Sequence, residues 1–219
     1  LAFLLLVIWR LPDTSLPAPL ALKERLKPIT DGHVVLALLP AFLWNVGVYV
    51  MYPYIALLLQ QQSHISDISI LLACFGLGIV LANALSGLFA DRFKPDHLVI
   101  IFLLLLIGIQ ALLPLAATTI IGGAIILLLW GMSFALLFIP QQQRLLRLAP
   151  EHSSLLLALN NSALYLGIAG GAAGGGLALH FFAVTQLAWI GGGSIFVALL
   201  IIAITLRLQR QSRLSQETK

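Results

Sequence analysis

Amide and aromatic side chains recur at helical spacing in three long apolar segments of the sequence. Spacings of three, four or seven residues place the members of each group on one helix face. Amides donate and accept hydrogen bonds, and a tyrosine ring combines a flat apolar face with a hydroxyl, so such faces suit partly polar organic ligands. The same side chains also fill cores and join helices, and the residues alone leave both interpretations open. The groups are Asn45, Tyr49 and Tyr52; Trp130 and Phe134; and Asn161 and Tyr165.

Groups that perform acid–base, nucleophilic or metal chemistry are missing from these apolar segments. No Asp, Glu, Lys or Arg lies in their interiors, and the sequence has no HExxH pair, Ser/His/Asp grouping, Cys/His cluster or phosphate-binding glycine loop. The single cysteine, Cys74, lies in an apolar run and cannot form an internal disulfide. His180 lies near the end of a run, where an interfacial histidine is common. The sequence therefore predicts no enzymatic activity and no metal or cofactor.

The composition is that of an integral membrane protein. Of 219 residues, 60% are hydrophobic and 9% are charged, whereas soluble domains carry about 25% charged residues. This balance excludes a soluble enzyme, a nucleic-acid-binding domain and a disordered chain. Because backbone groups in lipid must be satisfied within each segment, the long runs predict an all-α, polytopic transmembrane helix bundle. The runs are Val34–Leu59, Ile68–Ala90, Leu98–Ala117, Ile120–Ile139, Ser153–Phe182 and Thr185–Leu206.

The basic residues all fall on one side of this bundle. The twelve Lys and Arg residues lie before the first run or after the second, fourth and sixth runs, and the intervening loops have none. The positive-inside rule makes that side cytoplasmic, and the charge suits anionic lipid and not nucleic acid. We therefore expect the end of a truncated transmembrane helix at 1–9, a cytoplasmic linker at 10–33, six transmembrane helices at 34–206 and a cytoplasmic tail at 207–219.

Small residues and prolines predict how the helices pack and bend. Gly167, Gly171 and Gly175 recur every four residues in the fifth run, a spacing that lets two helix backbones approach closely in lipid. Prolines at or inside the ends of runs predict kinked helices. These prolines are Pro40, Pro53, Pro114 and Pro140.

The link after the second run carries the most distinctive local pattern. It reads Gly87-Leu88-Phe89-Ala90-Asp91-Arg92-Phe93-Lys94 and resembles the Gly-x-x-x-Asp-Arg motif of the major facilitator superfamily, in the version between helices eight and nine. The stretch from Pro140 to Gly167 is similar to helices ten and eleven of the bacterial drug- and sugar-efflux branch. The resemblance covers the chain as the end of helix six, a linker and helices seven to twelve. It implies the carboxyl six-helix half of a twelve-helix fold, with an amino-terminal half as its partner.

The resemblance also implies a function and a site. It implies secondary transport that exports small organic molecules (drugs, sugars or metabolites) by proton antiport and alternating access, in a bacterial inner membrane. The family lines the cavity of this half chiefly with helices seven and ten and parts of eight and eleven. The substrate-binding residues implied in this way are Asn45, Tyr49, Tyr52, Trp130, Phe134, Asn161 and Tyr165. Since helix rotation is not fixed by the sequence, Asn160 is the alternative to Asn161.

A conformational switch is implied at the motif itself, through Gly87, Asp91, Arg92 and Lys94. By resemblance, the Asp91 carboxylate accepts hydrogen bonds from the amino end of a helix in the other half, where the helix dipole favours an anion. The alternative is a simple helix-stop turn at the membrane surface. A non-transporting membrane subunit or scaffold is the rival function, and sealed, apolar helix faces would favour it. An intramembrane enzyme is the other rival, which the missing titratable groups disfavour.

Overall fold

A computed structural model describes residues 32–63, 68–148 and 153–217, and helices make up nearly all of them. No strand occurs in these ranges, so the all-α prediction is confirmed. The segment at 1–9 and nearly all of the linker at 10–33 lie outside the described residues. The helices are α1 (Gly32–Tyr49), α2 (Ile55–Ser63), α3 (Ser69–Arg92), α4 (Pro95–Ala116), α5 (Ile120–Leu136), α6 (Phe138–Leu148), α7 (Ser153–Ala178) and α8 (Val184–Glu217), with a 3₁₀ turn at Tyr52–Tyr54.

Six helical segments are long and apolar enough to cross a membrane, which confirms the predicted bundle. The fourth segment extends further than the apolar run predicts, because helix continues through the polar residues after Ile139. Two of those residues, Gln141 and Arg144, are buried in the bundle and not solvated. The segments are Val34–Ser63, Ser69–Phe89, Pro95–Ala116, Ile120–Arg147, Ser153–Ala178 and Val184–Arg207.

Two of the four prolines coincide with breaks in the helices. Proline has no backbone N–H, so the carbonyl four residues earlier loses its intrahelical donor. Pro53 lies in the turn between α1 and α2, and Pro140 follows the break between α5 and α6. Pro40 and Pro114 lie inside α1 and α4, which continue past them. The first and fourth membrane segments are therefore interrupted helices.

The glycine stripe of α7 lies directly against α1. A Cβ atom added to Gly167 would lie 2.5 Å from the Phe42 carbonyl oxygen, and one added to Gly171 would lie 2.7 Å from the Val46 carbonyl oxygen. Gly175 makes the same kind of contact one turn later. The predicted close backbone approach is thus present, and it fixes α1 against α7 along the stretch that precedes the break.

The remaining helix contacts show which helices pack against one another. Helix α1 packs against α8 as well as α7, while α3 packs on α5, and α4 packs on both α5 and α8. Trp44 of α1 and Trp130 of α5 are both completely buried. Of the helices that carry predicted site residues, α1 thus packs directly on α7, and α1 and α5 each contribute a buried tryptophan to the core.

Candidate functional site

The interruption of the first membrane segment positions two of the predicted site residues. Regular α-helix ends at Tyr49, and the Met51 N–H donates to the Val48 carbonyl at 3.2 Å in place of the usual i−4 partner. Pro53 cannot donate at all, and helix resumes only at Ile55. The break falls near the middle of the Val34–Ser63 segment, the depth at which interrupted helices form sites in many secondary transporters.

Tyr49 and Tyr52 enter a group of five rings that we call the aromatic cluster: Tyr49, Tyr52, Phe75, Trp130 and Phe134. The ring of Tyr52 lies 4.9 Å from that of Phe75 and 6.1 Å from that of Trp130, centroid to centroid. The Tyr49 ring lies 5.5 Å from Tyr52 and 6.1 Å from Phe134. Most of these pairs meet edge to face, the arrangement that aromatic quadrupoles favour. Residues from α1, α3 and α5 and from the Tyr52–Tyr54 turn are thereby brought together.

Burial within the aromatic cluster is uneven and leaves one side open. Trp130 and Phe134 are buried, at 0% and 7% exposure, whereas Tyr49 and Tyr52 are only half-buried. Tyr165 of α7 is 71% exposed. Tyr49 and Tyr52 therefore form the accessible side of the aromatic cluster, and Trp130 and Phe134 form its buried side.

The asparagines do not join this cluster as a group. Asn45 is completely buried, and its Nδ2 donates to the Ala41 carbonyl at 2.9 Å within α1. It lies in the contact between α1 and α7, where a Cβ on Gly167 would meet the Asn45 Cβ at 2.9 Å. On α7, Asn160 is 2% exposed, whereas Asn161 lies on the exposed side with Tyr165. Whether Asn45 or Asn161 contacts a substrate stays a prediction.

Unpaired polar atoms remain inside the bundle, and one of them belongs to the aromatic cluster. The indole Nε1 of Trp130 is buried and has no hydrogen-bond partner among the described residues, and the same holds for Trp44. The Oδ1 atoms of Asn45 and Asn160 are likewise unpaired within those ranges. Buried donors and acceptors are costly to leave unmatched. The interior therefore offers hydrogen-bonding capacity beside an apolar, aromatic surface.

The residues of the predicted switch lie where α3 ends. Arg92 is the last residue of α3, Phe93 is extended, and α4 begins at Pro95. Gly87, Arg92 and Lys94 are exposed, and a Cβ on Gly87 would have no neighbour within 4 Å. The Asp91 side chain lies outside the described residues. The role of this segment stays a prediction.

Sequence reasoning missed a buried ion pair at the same end of α4. The Arg144 Nε lies 3.4 Å from the Asp96 Oδ1, with side-chain exposures of 3% and 36%. Neither Nη1 nor Nη2 of Arg144 has a partner among the described residues. The apolar-run analysis assigned Arg144 to a loop, and only the helix that continues through α6 brings it into the bundle.

Asp96→Ala is expected to destabilise the protein more than Arg144→Leu. Removing the carboxylate leaves a buried guanidinium without a counter-charge. The expected loss in the free energy of unfolding is roughly 3 kcal/mol, at the low end for buried pairs because Asp96 is partly exposed. An apolar replacement of the arginine removes the charge itself and should cost less. Thermal unfolding of the purified full-length protein would measure both midpoints. The double variant should resemble Arg144→Leu. Equal losses from the two single variants would show that the pair does not act as argued.

The structure also identifies ring contacts that spacing alone does not reveal. Phe75 of α3 contacts Tyr52 and Trp130, and Phe138 of α6 contacts Phe134 at 5.2 Å. The resemblance pointed to the eighth helix in general but to no residue on it. Within residues 32–63, 68–148 and 153–217, no three His, Cys, Asp or Glu side chains are grouped so that they could hold a metal ion.

Comparison with known proteins places these features in a family. The family described as the Major Facilitator Superfamily matches residues 1–172. The chain belongs to this superfamily. The resemblance stated from the Gly87–Lys94 segment is thereby confirmed.

Relatives of this major facilitator chain are named as transport proteins. The inner membrane transport protein YdhP of Escherichia coli K12 is 29% identical over 213 residues, covering 94% of this chain and 54% of the relative. The MFS-type transporter YbcL of Bacillus subtilis is 26% identical, covering 90% and 51%. A probable sugar efflux transporter of Helicobacter acinonychis is 26% identical, covering 79% and 44%. These names are of transporters and not of enzymes, in agreement with the predicted lack of enzymatic activity.

The chain spans about half the length of the curated relatives it matches. This agrees with the predicted need for a second six-helix half. The family and the six apolar helices together make the chain a multi-pass membrane protein.

Proposed function

We propose that this chain is the carboxyl half of a secondary transporter that exports small organic molecules, by proton antiport and alternating access. The observation that carries the proposal is the aromatic cluster. Its half-buried tyrosines lie at a helix break near the middle of a membrane segment. Binding sites for organic ligands are mostly apolar and aromatic, with a few polar groups that orient the ligand.

The chemistry of the cluster supports partly polar organic substrates. Its rings supply stacking surface, while the hydroxyls of the half-buried tyrosines supply hydrogen bonds. The predicted membrane runs carry no charge in their interiors, and the one charged side chain that is buried among the described residues, Arg144, already pairs with Asp96. One of the relatives is named a probable sugar efflux transporter, and a sugar combines hydroxyls with flat apolar faces in the same way.

The partner in this proposal is an amino-terminal six-helix half that completes the cavity. The exposure of Tyr165 and of its neighbour Leu166, at 71% and 65%, supports a covering partner on that side of α7. By family resemblance, the proton-coupling acid belongs to that half. Alternating access then needs both halves, because each state is a different contact between them.

The proposal also includes the orientation of the helix bundle in the membrane. The one-sided distribution of the twelve basic residues supports cytoplasmic positions for the Gly87–Lys94 segment and for the end of α8. The relative named an inner membrane transport protein supports a bacterial inner membrane as the location.

A non-transporting membrane subunit is the alternative. Complete burial of Trp44 and Trp130 favours it, because such rings also occur as simple core packing. The half-buried Tyr49 and Tyr52 weigh against it, since a core has no need to leave its polar rings accessible.

Transport by the full-length protein in proteoliposomes tests the proposal. Two probes separate the substrate classes: radiolabelled lactose and the fluorescent cation ethidium. An imposed proton gradient is expected to drive movement of at least one probe, and a protonophore should abolish it. Folded, membrane-inserted protein that moves neither probe under any gradient would favour the non-transporting subunit. Transport of a probe that continues in the presence of the protonophore would contradict proton antiport.

A further inference from the structure

We propose that Gln110 of α4 is a positioning residue that holds the break in the first membrane segment. Through that break it sets the placement of Tyr49 and Tyr52. The inference rests on the proposed function for its effect on substrate, but the structural part stands on contacts outside the aromatic cluster.

The break leaves a backbone carbonyl without its usual donor. In a regular α-helix the Gly47 carbonyl would accept from the Met51 N–H, but Met51 donates to Val48 at 3.2 Å. An unpaired carbonyl at membrane depth is costly, because lipid offers no replacement donor. The Nε2 of Gln110 donates to the Gly47 oxygen at 2.9 Å, across 63 residues of sequence. The amide therefore takes the place of the missing helix bond.

Glycines make room for this contact where three helices meet. A Cβ on Gly191 of α8 would lie 3.0 Å from the Gln110 Nε2 and would also collide with the Gly47 carbonyl. A Cβ on Gly47 would in turn lie 2.5 Å from the Gly191 oxygen. Because neither glycine carries a side chain, α1, α4 and α8 approach closely enough for the amide to reach the carbonyl. Gln110 is completely buried there.

Among the described residues Gln110 makes no other hydrogen bond that would explain its presence. It lies in a helix that is otherwise strongly apolar around it, and its Oε1 has no partner among the described residues. A buried amide in hydrocarbon is retained at a cost unless it is bonded. Its bond to the carbonyl beside the break is therefore what this residue contributes.

The contact is distinct from the other bonds that tie α1 to its neighbours. The Ser194 Oγ of α8 donates to the Leu43 carbonyl at 2.8 Å, one turn before Gly47 and in regular helix. On the far side of the break, the Tyr54 hydroxyl donates to the Ala172 carbonyl at 2.9 Å. Gln110 and Tyr54 thus hold the two ends of the interruption, and Tyr49 and Tyr52 lie between them.

The test compares Gln110→Leu with Ser194→Ala in the full-length protein. Both variants remove one side-chain bond to an α1 carbonyl, but only the first bond is at the break. Spin labels at Gln61 of α2 and at Phe181 would report the distance from the helix beyond the break to the turn between α7 and α8. A second pair, at Leu115 and Phe181, omits α2 and serves as the internal reference. All three label positions are exposed.

Gln110→Leu is expected to broaden the Gln61–Phe181 distance distribution and leave the Leu115–Phe181 distribution unchanged. Ser194→Ala should change neither. Affinity for lactose or ethidium, whichever the wild-type protein transports, should fall about tenfold in Gln110→Leu, the scale of one lost buried hydrogen bond.

Several outcomes would overturn the inference. It fails if Gln110→Leu leaves the Gln61–Phe181 distribution narrow, or if both variants broaden both pairs, since Gln110 would then contribute only general packing. A broadened break with unchanged affinity would support the positioning role and contradict the placement of the substrate at Tyr49 and Tyr52. The two proposals therefore fail in different ways.

Discussion

Tyr49→Ala in the full-length protein is expected to weaken substrate binding by about five- to tenfold while membrane insertion stays normal. The ring packs against Tyr52 at 5.5 Å and Phe134 at 6.1 Å and is only half-buried. One face of it is therefore free for a ligand, and a well-placed aromatic contact contributes about 0.5–1.5 kcal/mol beyond its buried area. Titration of the transported probe, lactose or ethidium, against purified protein would measure the change.

Two further variants separate binding from folding. Tyr49→Phe keeps the stacking surface and should lose only the part of the affinity that the hydroxyl supplies. Phe196→Ala removes an aromatic ring of similar size from α8, where it is 49% exposed and outside the aromatic cluster, and should leave affinity unchanged. If Tyr49→Ala lowers only the yield of folded protein, the ring is core packing and the proposed site is wrong.

The bundle could be predicted because the bilayer restricts the possible structures so strongly. An apolar run of about 20 residues in lipid has to be a helix, and composition therefore identified the six segments. A close backbone approach at α7 was predicted for a similar reason, since Gly167, Gly171 and Gly175 fall on one helix face whatever the rest of the fold does, but that α1 is the partner came from the structure. Both inferences depend on local sequence alone.

Helix rotation and the ends of the segments needed the three-dimensional structure. Asn160 and Asn161 are neighbours in sequence, yet one is 2% exposed and the other lies outside, because the packing of α7 on α1 decides which side faces in. The end of the fourth segment was placed too early, since Arg144 and Gln141 look like loop residues until the bundle buries them. A polar residue is therefore expected in solvent only where no neighbouring helix supplies a hydrogen-bond or ion-pair partner for it.

The buried glutamines show the same limit more sharply. Gln110 donates to the Gly47 carbonyl, and Gln141 donates to the Ala37 carbonyl at 3.1 Å. In sequence they are single polar residues in or beside apolar runs, with no spacing pattern. Their role depends on which carbonyl of a distant helix lies within reach. Aromatic spacing predicted only that Tyr49 shares a helix face with Tyr52, and Trp130 with Phe134. The contacts of Tyr49 with Phe134 and of Tyr52 with Trp130 depend on how distant segments pack.

Asp91→Asn in the full-length protein is expected to reduce transport about tenfold while leaving the amount of inserted protein unchanged. Asp91 lies in the last turn of α3, where the helix dipole is negative and a carboxylate is unfavourable by roughly 0.3–1 kcal/mol. A negative charge at that end of a helix is expected to have a compensating partner elsewhere. We infer, on the family resemblance, that this partner is the amino end of a helix in the other half, and that the contact stabilises one of the two transport states. Losing it shifts the population of states, and coupling of this kind typically changes equilibria by about 5- to 150-fold.

Initial rates of lactose or ethidium transport in proteoliposomes would measure the loss, with Arg147→Gln as the control. Arg147 is an exposed charge in the last turn of α6, on the predicted cytoplasmic side but outside the Gly87–Lys94 segment, so its replacement should leave the rate unchanged. Asp91→Glu keeps the charge and should retain part of the activity. Binding of the probe should survive in Asp91→Asn, because the aromatic cluster is built from other helices and from the far part of α3. Normal transport by Asp91→Asn would show that the Gly87–Lys94 segment is only a helix-stop turn. A loss of probe binding equal to the loss of transport rate would show that Asp91 acts on the binding site and not on the exchange between transport states.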